Sequence, residues 1–183
     1  MSTGKLLLHL PGDNLPQDIA ALEKGLREIG LIGESLNRAE HIFQAGERFL
    51  HLVTFLGCSP YVRFEPEDDQ DEDFCYIKLS GPHNRVQFRR GSNTQRPGCP
   101  GCRRKISDTD EMIENWLTTG KSCTCPHCGA HFDAPELRWR QSAGFGRFFI
   151  EVNSVFPCEA IPSQELLNHL KGDGEAWEFF YIQ

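Results

Sequence analysis

No apolar run in this 183-residue chain is long enough to cross a bilayer. The N-terminus carries only Leu6-Leu7-Leu8 before Pro11-Gly12-Asp13 interrupts it, too short for the apolar segment of a signal peptide. There is no internal repeat and no low-complexity tract, so solenoids and disordered linkers are excluded as a description of the whole. Nor is there a complete nucleotide-binding motif. Gly120-Lys121-Ser122 has the ending of a phosphate-binding loop, but Asn115 stands where the first glycine belongs and no strand precedes it. Leu79-Ser80-Gly81 matches the start of a transporter-ATPase signature on the wrong side of that tripeptide. The acidic stretch 65–73 holds seven acids in nine residues, yet it lacks the glycine and closing glutamate of a Ca²⁺ loop and reads as a solvated loop.

What is present is a globular composition, 39% hydrophobic and 25% charged with a net charge of −7, enough for one domain with a core or a compact domain bearing an insert. Eight cysteines would suit a disulfide scaffold in a secreted protein, but four of them have metal-ligand spacing. Cys58, Cys75 and Cys158 are scattered in apolar contexts, as expected for reduced buried thiols. The expected compartment is the cytoplasm.

The most informative stretch is Cys99-Pro100-Gly101-Cys102 and Cys125-Pro126-His127-Cys128, two Cys-x-x-Cys pairs separated by 22 residues, 103–124. Two such turns can close four thiolates on one Zn²⁺, with Pro100 and Pro126 pre-setting φ and Gly101 and Gly129 allowing the close backbone approach. Cys123, His127 and His131 lie beside the second pair and rank as spares. A four-cysteine site has no open position for water, so the metal is expected to be structural. This pattern resembles the paired knuckles of the zinc-ribbon class, a resemblance that covers about 30 residues and implies metal binding without implying an activity. A rival reading takes Cys125-Pro126-His127-Cys128 as the dithiol of a thioredoxin-fold oxidase. That chemistry needs the first cysteine at a helix N-terminus, and residues 129–135 are a poor helix start.

Around this stretch the pattern predicts a first strand over 5–10. A helix follows whose apolar face is Ile19, Leu22, Leu26 and Ile29, with Asp13 or Asn14 as cap and Gly30 at its end. Strands are expected over 48–55 and 61–64, and a hairpin pairs 74–79 with 85–89. A helix between the knuckles starts on an Asp108/Glu111 capping box, carries Met112, Ile113, Trp116 and Leu117, and stops at Gly120. Strands over 137–141 and 148–152 flank a loop with an exposed Phe145, and a helix from Pro162 to Gly172 and a strand over 177–182 close the chain. The expected class is α+β, a mixed or antiparallel sheet with a ferredoxin-like core formed by residues 1–95 and 136–183, and a zinc ribbon inserted at 96–135.

Charge is segregated. Residues 85–147 carry eleven Lys or Arg against six acids, whereas the remainder has eight against twenty. Arg85, Arg89, Arg90, Arg96, Arg103, Arg104 and Lys105 follow one another with no acid among them, the electrostatic signature of a surface for nucleic acid, a nucleoprotein or an acidic protein. The intramolecular alternative is that these cations face the 65–73 loop. The expected function is a binding or adaptor module; the enzyme alternative uses Cys58 as nucleophile or the dithiol.

Overall fold

The computed structural model describes residues 4–36, 40–56, 62–68, 71, 73–155, 159–172 and 174–183. Cys58 and Cys158, and with them the nucleophile reading and two of the three expected buried thiols, lie outside these residues. In chain order the elements are β1 (Gly4–His9), α1 (Ile19–Glu28), β2 (Ile32–Ser35), β3 (Ile42–Ala45), α2 (Phe49–Leu52), β4 (Val53–Phe55), β5 (Tyr76–Ser80), β6 (Gln87–Arg90) and α3 (Thr109–Thr119). They continue with β7 (Cys123–Thr124), β8 (His131–Phe132), β9 (Ala143–Gly146), β10 (Phe149–Val155), β11 (Ala160–Pro162), α4 (Gln164–Lys171) and β12 (Glu178–Ile182).

The protein is α+β, built on a six-stranded antiparallel sheet in the order β12-β1-β10-β5-β3-β2. Taken as β1, α1, β5, β10, α4 and β12, the chain has the ferredoxin-like succession. Its first and third strands lie at the centre, the fourth beside the first and the second beside the third. The β2–β3 hairpin, which the sequence patterning did not reveal, extends the β5 edge. Alternation along β1 explains the two faces. Leu6 and Leu8 enter the main core with Leu26 of α1 and Leu166 and Leu170 of α4, whereas Leu7 packs with Phe149 and Phe180 on the other face.

Helix α1 is capped by Asp18, whose carboxylate accepts from the Ala21 amide at 3.1 Å, and not by Asp13 or Asn14. It ends as expected, with Gly30 at φ 78° and the Leu31 amide donating to the Leu26 carbonyl. The 48–55 segment is not one strand: α2 turns first, burying Phe49 and Leu52, before β4 pairs with β11. Residues 62–64 are not a strand either. The expected 74–89 hairpin is also corrected, because β5 pairs with β10 and β3, and β6 pairs with β9.

The 142–147 segment is not an exposed loop. Ala143–Gly146 is a fully buried strand and Phe145 is 2% exposed. Its glycines are the reason: a Cβ on Gly144 would collide with the Phe180 ring and lie 3.1 Å from His9 Nε2. The strand can therefore lie flat on the second face of the sheet. Residues 137–141, expected as a strand, form none, only the bridge of Arg138 to Gly98.

Candidate metal centre and basic rim

The segment around the four clustered cysteines has its own core. Cys99, Ile106, Ile113, Cys123, Cys125, Phe132, Leu137, Trp139 and Phe145 are buried together, with Val86, Phe88, Met112, Trp116 and Leu117 half-buried around them. That core thus reaches beyond residues 96–135 to take in β6 and β9. Helix α3 supplies the lid through the apolar stripe expected of it. Its start is different, since Asp108 is left-handed at φ 53° and makes no capping bond. Gly120, at φ 67°, ends it.

The two knuckles are copies of one backbone turn. The Cys99 amide donates to the Arg104 carbonyl and the Cys125 amide to the Ala130 carbonyl, each at 2.9 Å. The Arg103 amide donates back to the Cys99 carbonyl and the Gly129 amide to the Cys125 carbonyl, each at 3.0 Å. The residue after the second cysteine is left-handed in both, Arg103 at φ 63° and Gly129 at φ 71°. The position that needs a glycine's freedom is therefore that of Arg103, and not that of Gly101.

These turns bring the sulfurs of Cys99, Cys102, Cys125 and Cys128 within 4.8 Å of one another. Cys99 Sγ lies 3.9 Å from Cys128 Sγ, and Cys102 Sγ 3.9 Å from Cys125 Sγ. Sulfurs about 2.3 Å from a shared tetrahedral ion are about 3.8 Å apart, so the donor set fits one metal ion. The separations are far too long for disulfides. At Cys125 burial pushes the thiol up, but the His127 and Cys128 amides and the Cys99 and Cys128 sulfurs outweigh it and bring it down to about 7. At Cys128 the Ala130 amide pulls down, but the Cys125 sulfur, burial and the other two sulfurs push the thiol up to about 11. Cys125 and Cys128 thus hold their protons unequally.

The three spares stay out of the cluster. Cys123 is buried and directs its Sγ at the Met112 carbonyl, 3.9 Å away. His127 Nε2 lies 3.1 Å from the Lys105 carbonyl on the first knuckle, which ties the two turns together, and His131 Nδ1 lies 3.1 Å from Thr124 Oγ1. Cys125 follows a two-residue strand and precedes a turn over 126–128, after which come β8 and a 3-10 turn at Ala134–Glu136. The helix that a thioredoxin-type dithiol uses to lower its first thiol is not there.

The cations divide into two groups. Arg89 is half-buried, with Glu151 at 3.8 Å, Ser80 Oγ at 3.2 Å and the Phe149 ring beneath its guanidinium; Arg90 is paired with Asp110 and lies over Phe88. Both therefore work inside the fold. Arg85, Arg96, Arg103, Arg104 and Lys105 are exposed. Gly98 lies between Lys105 and Arg138, bridged to both. Directly paired residues share a face, so Lys105 and Arg138 stand on either side of the bare glycine, about 10 Å apart. Arg96 and Arg140, two residues from Gly98 and Arg138, are exposed while Pro97 and Trp139 between them are buried. Among the described residues none of Arg96, Arg103, Arg104, Lys105, Arg138 and Arg140 has an ion-pair partner. The carboxylate of Glu136, two residues before Arg138, is turned back onto the Asp133 amide. Arg138 and Arg140 were missed from the sequence, although their alternation around Trp139 is a readable sign of an exposed cationic edge. The acidic loop has a cation of its own, Arg63, which holds Glu67 and Asp71.

No family model matches this chain, and no curated protein or solved structure matches it. No helix among the described residues is long and apolar enough to cross a membrane.

Proposed function

We propose that the four-cysteine cluster holds one structural Zn²⁺ in a zinc ribbon, and that the ribbon is a docking module whose basic rim grips the phosphates of a nucleic acid. The reading is carried by one observation: six exposed cations surround Gly98 and the first knuckle without a carboxylate among them to neutralise them. Clustered positive charge of this kind favours an anionic partner. Tetrahedral four-sulfur coordination suits zinc, and a closed site leaves the metal the task of fixing the turns that carry Arg103, Arg104 and Lys105. The aromatic residues nearby, Trp139, Phe145 and Phe88, are packed in the ribbon core, which favours backbone contact over base stacking. The module is read as cytoplasmic.

The test is anisotropy titration of the zinc-loaded protein with a fluorescent single-stranded oligonucleotide across a salt series. Affinity falls steeply with salt, and replacing Arg103, Arg104, Lys105 and Arg138 by Ser flattens the log–log slope by about 0.7 for each phosphate that is no longer neutralised. A protein lacking residues 68–73 measures whether the acidic loop competes for the rim. If neither form binds RNA or DNA at low salt, the nucleic-acid reading is wrong and an acidic protein surface is the remaining class.

A further inference from the structure

Where the cysteine-bearing segment meets the second face of the sheet, the packing leaves a cavity of about 140 Å³. Its buried walls are His9 of β1, Phe180 of β12, Phe145 of β9, and Leu137 and Trp139 from the segment before β9. Gln141 and Glu178 also line it and are exposed, so the entrance is on their side. Leu137 and Trp139 are buried where Arg138 and Arg140 are exposed, so the cavity lies behind the basic rim and shares no residue with it.

Size and polarity together define what fits. A cavity of about 150 Å³ holds one benzene-sized ring. Phe145, Phe180 and Trp139 are aromatic walls, against which a flat ring packs well. Trp139 is only 7% exposed, and its Nε1 is buried with no hydrogen-bond partner among the described residues. A buried donor of this kind calls for an acceptor, which a bound molecule or a water must supply. Burial lowers His9 to about 4 and so keeps it neutral at pH 7. No ionised side chain among the described residues therefore stands in the buried part of the cavity, which disfavours a charged occupant.

We propose that this cavity is a binding site for a small neutral heteroaromatic molecule, a single six-membered ring whose ring nitrogen accepts a hydrogen bond from Trp139 Nε1. Phe145 and Phe180 pack against the ring, and the indole N–H distinguishes it from a hydrocarbon of the same size. The site does not depend on the basic rim or on what the rim binds.

The experiment is ¹H–¹⁵N NMR titration of the zinc-loaded full chain at neutral pH with pyridine and, separately, with benzene. The Trp139 indole resonance is assigned by its loss in Trp139→Phe. Pyridine should move that resonance downfield and saturably, leaving the Trp116 and Trp177 indoles in place. Benzene, of the same size but with no acceptor, should bind about 3–10-fold more weakly, the ratio set by one neutral hydrogen bond. Trp139→Phe keeps a ring and loses the donor, so it should bring the two affinities together, read from the Gly144 and Phe180 amides. Should that variant not fold, the ratio of pyridine to benzene affinity in the parent protein decides alone. A Trp139 indole unmoved by pyridine at tens of millimolar, the result for a cavity that holds water only, would overturn the proposal. Equal affinity for pyridine and benzene in the parent protein would do the same, as would loss of zinc in step with the shift, which would put the pyridine nitrogen on the metal.

Discussion

Arg103 occupies a backbone position that its duplicate in the second knuckle gives to Gly129, and this permits a quantitative test of the paired-turn geometry. A non-glycine residue in the left-handed region carries about 1–2 kcal/mol of local strain. Glycine relieves that strain but returns about 0.5–1 kcal/mol through the freedom it gains in the unfolded chain. Arg103→Gly should therefore stabilise the ribbon by about 0.5–1 kcal/mol, a rise of about 2 °C in the melting temperature of a chain of this length. Gly129→Ala should cost a similar amount, and no steric contribution confuses it, since a Cβ there meets nothing within 4 Å. Arg103→Ala separates backbone from charge, because it removes the guanidinium while keeping the left-handed strain. The measurement is thermal unfolding of the three variants at matched free zinc, alongside oligonucleotide affinity. Arg103→Gly and Arg103→Ala should lose the same affinity, and only the glycine variant should melt higher. An Arg103→Gly protein no more stable than Arg103→Ala, or a harmless Gly129→Ala, would refute the equivalence of the two turns.

Gly144→Ala should destabilise the protein by about 1–3 kcal/mol in urea unfolding, because the added methyl meets Phe180 and His9 where β9 lies on the sheet; a neutral result would mean that β9 is not seated there. Cys75 is buried and its thiol is pushed up to about 12 by burial, so it should resist alkylation at neutral pH until the chain unfolds, as mass spectrometry of the labelled protein would show. Burial lowers His9 to about 4, against partial compensation from the Leu10 and Phe145 backbone. Since the unfolded chain binds that proton first, stability should be complete above about pH 6.5 and fall by up to about 3 kcal/mol as the pH drops toward 4. Unfolding curves of His9→Gln should lack that part of the acid dependence, and identical pH profiles for variant and parent would contradict it.

The parts of the fold legible from sequence were those whose signals are local. The Ile19–Leu26 stripe, the Gly30 stop and the Gly172 stop lie within a turn or two of what they specify, and α1 and α4 stand where the pattern puts them. The knuckles were legible for the same reason, since each is closed by bonds within five residues. Pairings between distant strands were not. Gln87 meets Gly146, far along the chain, and the nearer β5 strand looked like the natural partner of 85–89. The glycines of 144 and 146 read as loop punctuation, when their role is to let a strand approach an aromatic ring. Of the cations, proximity in sequence grouped seven, but folding takes Arg89 and Arg90 into internal pairs and brings Arg138 and Arg140 up to Gly98.

The central claim is that Cys99, Cys102, Cys125 and Cys128 share one ion, and elemental analysis of freshly purified, reduced protein combined with thiol counting tests it most directly. The account predicts one zinc per chain, a colourless protein, and four thiols shielded from alkylation until a chelator removes the metal, after which the ribbon loses its fold. A protein with no transition metal, in which the same four cysteines form two disulfides, would contradict it.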